Sequence, residues 1–169
     1  MVVGSLASSA RGVYRATADG DLLAQIAPWD IVRLADALGA EWYADRDQME
    51  RAFDAGRSFN LIHIPTAQKI DIFPADTEFH ESQLQRATAV SVFPGETQLV
   101  LPVASAEDTV LAKLQWYRAG GEISDRQWND ITGLIATNPT LDGDYLQQWA
   151  NRLRVKDLLD RASCDAAGR

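Results

Sequence analysis

Asp19-Gly20-Asp21 and Lys69-Ile70-Asp71 are the residues of this chain best suited to chemistry. On a strand, side chains repeat every two residues, so Asp19 and Asp21 share one face, and so do Lys69 and Asp71. Two acids on one strand and a third on a neighbour can hold a divalent cation. Mg²⁺ or Mn²⁺ needs only a few carboxylates, with water and phosphate completing its octahedron. Acids of this kind suit phosphoryl or nucleotidyl transfer, where negative charge on phosphate must be neutralised. A small-residue run, Gly4-Ser5-Leu6-Ala7-Ser8-Ser9, precedes the first pair. Gly4-Ser5 at a helix start offers backbone N–H groups and a hydroxyl to a triphosphate.

Each motif alone also has a plainer explanation. A lone D-x-D is common, and Asp19-Gly20-Asp21 also suits an exposed turn. Lys69 and Lys113 suit a solvated strand and a solvated helix. Asp130 lies between Trp128 and Ile131 and suits the polar face of a helix. Trp116, Trp128 and Trp149 recur at helical spacing and are expected in the core rather than as a stacking platform. His63 and His80 lack zinc-ligand spacing and are expected to be structural. Cys164 is the only cysteine, which excludes an intramolecular disulfide and agrees with a reducing compartment.

These residues need a scaffold. The chain has 169 residues, of which 46% are hydrophobic. That length suits one domain with a proper core. The formal net charge of −8 disfavours non-specific binding to a phosphate backbone, which rests on Lys and Arg. No stretch is long and apolar enough for a membrane span, and no signal-peptide pattern opens the chain. The expected location is the cytoplasm.

The pattern predicts a strand from Met1 to Gly4, then a turn into a short helix over 5–12. A strand over 19–26 carries the acids. Helices follow over 28–38, stopped by Gly39, and over 45–55. Strands over 58–64 and 68–73 flank Pro65-Thr66-Ala67, a short connection that suits a hairpin. A helix over 77–86 precedes strands over 89–93 and 97–103 around Pro94-Gly95. The remainder reads as helical. Ser105 to Asp108 and Ser124 to Gln127 are capping boxes, the first in its Asp variant. Asn138-Pro139 stops the second of these helices, and 141–153 and 155–162 complete the chain. The expected fold class is α+β, a small mixed sheet with a helical C-terminal portion. Residues 1–103 would form the sheet-bearing core and 104–169 the helices packed on it.

Taken in order, these motifs resemble a family. The run G-S, R-A-T-x-D-x-D-L, S-F-N-L-I-H-I with K-I-D-I-F, S-A-E-D-x-x-L-A-K-L-x-W and R-Q-W-N-D-I is similar to the nucleotidyltransferase superfamily of the DNA-polymerase-β type. Within it the likeness is to abortive-infection nucleotidyltransferase toxins of the AbiEii class. The resemblance implies a nucleotidyltransferase-type sheet, Mg²⁺ or Mn²⁺, an NTP substrate and an acceptor hydroxyl on tRNA, protein or a small molecule. It also implies an antitoxin partner. By the same resemblance, Gly4 and Ser5 would touch the triphosphate, and Asp19, Asp21 and Asp71 would hold the metals. Asp71, paired with Lys69, would help the attacking hydroxyl. Lys113 would neutralise phosphate, and Asp130 would be a supporting acid.

Two features depart from the family pattern. Gly20 stands where a β-branched or aliphatic residue is usual, and glycine weakens a strand. The chain also starts at the G-S strand, where the family carries a helix. Three readings follow: a nucleotidyltransferase, a non-catalytic interaction module on the same fold, and a metal-dependent phosphohydrolase. The sequence expects Asp19, Asp21 and Asp71 to converge on one sheet face. It expects Lys113 to point toward them and to be removable with little effect on folding.

Overall fold

A computed structural model describes residues 1–14, 16–91 and 99–168. Arg15 of the R-A-T motif and the Pro94-Gly95 turn lie outside the described residues. The described chain is a mixed α/β fold with one mixed sheet and eight helices. In chain order the elements are β1 (Val2–Val3), α1 (Gly4–Ala10), β2 (Asp19–Ala24), α2 (Pro28–Ala37), β3 (Trp42–Tyr43), α3 (Arg46–Asp54), β4 (Phe59–His63) and β5 (Gln68–Pro74). Then follow α4 (Glu78–Arg86), β6 (Thr88–Ser91), β7 (Val100–Val103), α5 (Ala106–Ala119), α6 (Asp125–Thr137), α7 (Gly143–Arg152) and α8 (Lys156–Ala167).

Across the sheet the strands run β3-β4-β5-β2-β1-β7-β6. β2 lies parallel to β5, and β1 lies antiparallel to β2 and parallel to β7. The hairpin β4–β5 closes at His63 and Gln68, with Ala67 in the left-handed region at φ 54°. The sequence missed β3, a two-residue strand that extends the sheet beyond β4. It also placed Gly4 in a strand, whereas Gly4 begins α1.

Helix starts follow the expected capping chemistry. Ser105 accepts from the backbone N–H of Asp108, and Ser124 from that of Gln127. Thr77, Asp45 and Asp142 do the same for α4, α3 and α7. Each such cap satisfies a donor that the helix cannot, and is worth about 1 kcal/mol.

Alternation divides the sheet residues between two faces. Phe59, Leu61 and Ile72 turn to one side and pack with Ile31 of α2 and Met49 of α3. The other face carries the polar row described below. The helical portion has its own core of Val110, Leu111, Leu114, Ile131, Leu134, Leu158 and Leu159. Phe79 of α4 belongs to that core and Val13 packs against it, so the helices share their interior with the N-terminal part. Arg11 strengthens the junction: its guanidinium donates to Ala104 O at 2.8 Å and to Thr88 Oγ1 at 2.7 Å. Among the described residues no helix is long and apolar enough to cross a membrane.

Gly20 sits in β2 opposite Ile70, outside the left-handed region. A Cβ there would meet Ile70 Cγ1 at 3.8 Å and Leu6 Cδ1 at 3.9 Å, which is ordinary contact. Gly20→Ala should therefore stabilise the protein by about 0.5–1 kcal/mol, because glycine loses more backbone freedom on folding. Urea unfolding of the two proteins measures it, and a destabilised variant would contradict the ordinary contacts that a Cβ at Gly20 would make with Ile70 and Leu6.

Candidate active site

The acid row is built by register. β2 and β5 run parallel with Asp21 opposite Asp71 and Asp19 opposite Lys69. Partners in register point to the same face, so all four side chains stand on one side of the sheet. The register puts Asp19, Asp21 and Asp71 on one face, as expected; that their carboxylates lie close enough to share a metal ion does not follow from it. At the level of Asp21 and Asp71 the row extends to Val3 on β1 and Asn60 on β4. Asn60 was missed by sequence reasoning. The closing pair of the hairpin, His63 with Gln68, would have supplied it by counting back three residues on one strand and forward three on the other.

Gly4 and Ser5 meet the row at Asp21. Gly4 has φ 61°, and a Cβ on it would run into Asp21 Oδ2 and lie 2.8 Å from Asp21 Cγ. The missing side chain is the space the carboxylate fills. The backbone N–H of Ser5 donates to Asp21. Val3, the N-cap of α1, offers no side-chain cap, so Asp21 from the next strand caps this helix instead. The Ser5 N–H assigned to a triphosphate by resemblance is thus already engaged by a carboxylate.

Charge follows geometry. Burial raises the Asp21 carboxyl above its ordinary range, and Asp71 and Asp19 raise it further. The Ser5 N–H and Lys69 oppose the shift. Lys69 Nζ lies 2.7 Å from Asp71 Oδ2. That hydrogen bond raises the Lys69 pKa, so the lysine stays charged on the row. Among the described residues no three His, Cys, Asp or Glu side chains form a ready-made metal cluster. The donor set still suits a hard divalent cation: carboxylates only, facing one another across two strands, with like-charge repulsion that a cation would relieve.

The raised Asp21 carboxyl has a stability consequence. A carboxyl whose folded pKa exceeds its unfolded value binds its proton more tightly in the native state. Stability then falls as pH rises from the unfolded value, near about 3.9, through the folded one. Asp21→Asn removes that cost while keeping an oxygen for Ser5. With a chelator present, the variant should be more stable than wild type at about pH 7, with a smaller difference at about pH 4. Guanidinium unfolding at both pH values measures this, and equal differences would refute it.

Lys113 does not present its ammonium as the sequence expected. Its Nζ lies 2.9 Å from Asp130 Oδ2, joining α5 to α6, and the two side chains are only 12% and 7% exposed. Asp71, Asp19 and Lys69 are the side-chain charges that act most strongly on Asp21. Lys113 and Asp130 are therefore brought together with each other. Removing one partner of an ion pair this little exposed leaves the other charge uncompensated, which argues against the expectation that Lys113 can be removed with little effect on folding.

The remaining sequence expectations divide. His63 packs against Trp42 at 4.9 Å and shares a hydrogen bond with Thr66, and His80 pairs with Asp76 at 3.0 Å. Both histidines are engaged locally. Trp149 is buried against Phe79, and Trp128 donates to Asp165 Oδ2 beneath Arg161. Trp116 departs from the expectation: it is 59% exposed. Cys164 is exposed on α8. Two clefts, of about 190 and 430 Å³, lie apart from the row, and none of the predicted site residues lines either. Compared with known proteins, the chain matches no family model and no curated protein.

Proposed function

We propose that the protein is a metal-dependent nucleotidyltransferase of the DNA-polymerase-β type, moving a nucleoside monophosphate from an NTP to an acceptor hydroxyl. The observation that carries this is the placement of Asp21 opposite Asp71, with Asp19 and Lys69 on the same face and Gly4-Ser5 closed against Asp21. Asp19, Asp21 and Asp71 would hold Mg²⁺ or Mn²⁺, which supplies neutralisation of charge on the triphosphate and the departing pyrophosphate.

In the transfer, the acceptor oxygen bonds to the α-phosphorus as the bond from that phosphorus to the pyrophosphate oxygen breaks. The acceptor proton passes to the Asp71 carboxylate, whose Oδ2 Lys69 holds in place. The protein's share is positioning and fixed charge, the two largest contributions a phosphoryl-transfer site makes. Lys113 and Asp130 tie α5 to α6. The acceptor is a hydroxyl on tRNA, on a protein or on a small molecule. A toxin role opposite an antitoxin partner, and a cytoplasmic location, belong to this proposal.

Incubation with radiolabelled NTPs, Mg²⁺ and a host RNA extract tests it. Label should enter an RNA or protein fraction with release of pyrophosphate, and Asp71→Asn should lose it. Release of inorganic phosphate alone would point to a phosphohydrolase. Absence of label, together with no cation-dependent rise in melting temperature with any NTP, would overturn the proposal. One observation favours the second reading, a non-catalytic interaction module. Asp21 is capped by Ser5 and Asp71 is paired with Lys69, so the row satisfies two of its acids by itself.

A further inference from the structure

We propose that Lys69 is a built-in counter-charge that holds a free divalent cation off the acid row, so that the row favours a cation arriving with a polyphosphate. The inference rests on the nucleotidyltransferase reading above and concerns how that site is regulated. Its ground is where the ammonium stands. Lys69 faces Asp19 across β2 and β5, and Asp71 faces Asp21, so one cation and three acids share one face. Lys69 Nζ lies 2.7 Å from Asp71 Oδ2. It therefore occupies one of the two oxygens with which Asp71 could meet a metal. Its field reaches past that partner. The hydrogen bond to Asp71 is the largest influence raising the Lys69 pKa, and the charges of Asp71, Asp19 and Asp21 add to it. Of the side-chain charges that act most strongly on Asp21, Lys69 is the one cation. Lys113 is not a substitute, because its ammonium is spent on Asp130.

A divalent cation that enters alone meets two obstacles. One oxygen of Asp71 is taken, and a like charge stands beside it. At about 4–6 Å, repulsion between a doubly and a singly charged cation lowers affinity about 10- to 30-fold even in water. Salt weakens the effect. A polyphosphate reverses the sign, because it brings negative charge to the ammonium together with the metal. Lys69 has donors for it. An ammonium carries three N–H groups, and Asp71 is the one ion-pair partner of Lys69 among the described residues. The side chain is 37% exposed, so an incoming group can reach it. A compact ammonium on a flexible stem can meet a phosphate oxygen without leaving Asp71. Lys69 would thus penalise the free ion and not the ion delivered with its polyphosphate.

Calorimetric titration at low salt tests this, with Mn²⁺ alone and with the equimolar Mn²⁺–tripolyphosphate complex as the two probes. Lys69→Met keeps the apolar stem and removes the charge. It should bind free Mn²⁺ about 10- to 30-fold more tightly than wild type. It should bind the complex no more tightly than wild type. Lys69→Gln, a second neutral variant, should show the same pattern, and Lys69→Arg, which keeps the charge, should resemble wild type. Melting curves check that each protein is folded at the temperature of titration. Unchanged affinity for free Mn²⁺ in both neutral variants would overturn the counter-charge, as expected of a lysine that only meets phosphate or solvent. A loss of Mn²⁺ affinity would overturn it too, and would make Lys69 a residue that only positions Asp71. Equal gains for the free ion and the complex would overturn the discrimination between them. In each of these cases the row still binds a cation and the nucleotidyltransferase reading stands. Failure of all four proteins to bind Mn²⁺, alone or with tripolyphosphate, would overturn the counter-charge and that reading together.

Discussion

Gly4→Ala should lower stability by about 2–4 kcal/mol and weaken divalent-cation binding together, because one methyl group acts on both. Gly4 occupies the left-handed region at φ 61°, where an L-residue crowds its own carbonyl. That alone costs about 1–2 kcal/mol. The added Cβ also runs into Asp21 Oδ2, so either the carboxylate leaves its place or the start of α1 moves. In a chain of this size the melting temperature should fall by about 5–15 °C. Mn²⁺ titration at a temperature where the variant is folded should show the affinity loss. Gly12→Ala is the control. It has φ 104°, but its Cβ would meet Thr137 rather than an acid. It should lose stability while keeping its cation affinity. Equal Mn²⁺ affinity in Gly4→Ala and wild type would show that the placement of Asp21 does not govern cation binding.

The acids of the row were legible because the information is local. A two-residue period puts Asp19 with Asp21 and Lys69 with Asp71, and the short connection after β4 fixes the neighbour of β5. The pairing of Asp21 with Asp71 was not local. It depends on two parallel strands about fifty residues apart finding one register, and no turn specifies that. Helix starts were readable for a similar reason, since Ser105 and Ser124 stand three residues from the N–H groups they accept.

Trp116 was misjudged although its own helix carried the signal. Val110, Leu111, Leu114 and Tyr117 set the buried stripe of α5, and Trp116 lies off that stripe. The general tendency of tryptophan toward the interior outweighed the helical period, and the period was the better guide. Of the two readings of Asp130, a supporting acid and the polar face of a helix, the second does not fit a residue only 5% exposed. Its partner comes from a different helix, seventeen residues earlier, and only the packing of α5 on α6 brings them together.

That pair sets the second large effect. Lys113→Ala should cost about 2–4 kcal/mol, because it leaves the Asp130 carboxylate buried without its lysine. The expectation rests on burial on both sides, with side-chain exposures of 12% and 7%. An exposed pair at the same distance would be worth at most about 1 kcal/mol. The double variant Lys113→Met/Asp130→Leu removes both charges and fills the space. It should recover part of the loss, with a coupling of about 1–3 kcal/mol between the positions. Urea unfolding of wild type, Lys113→Met, Asp130→Leu and the double variant at neutral pH completes the cycle. A phosphate-binding lysine predicts something different: normal stability in Lys113→Ala and weaker binding of tripolyphosphate. The same variant distinguishes the two roles if stability is measured first and binding is then measured well below its unfolding midpoint. A stability loss under about 0.5 kcal/mol, within the range of ordinary surface substitutions, would show that Lys113 does not anchor α5 to α6.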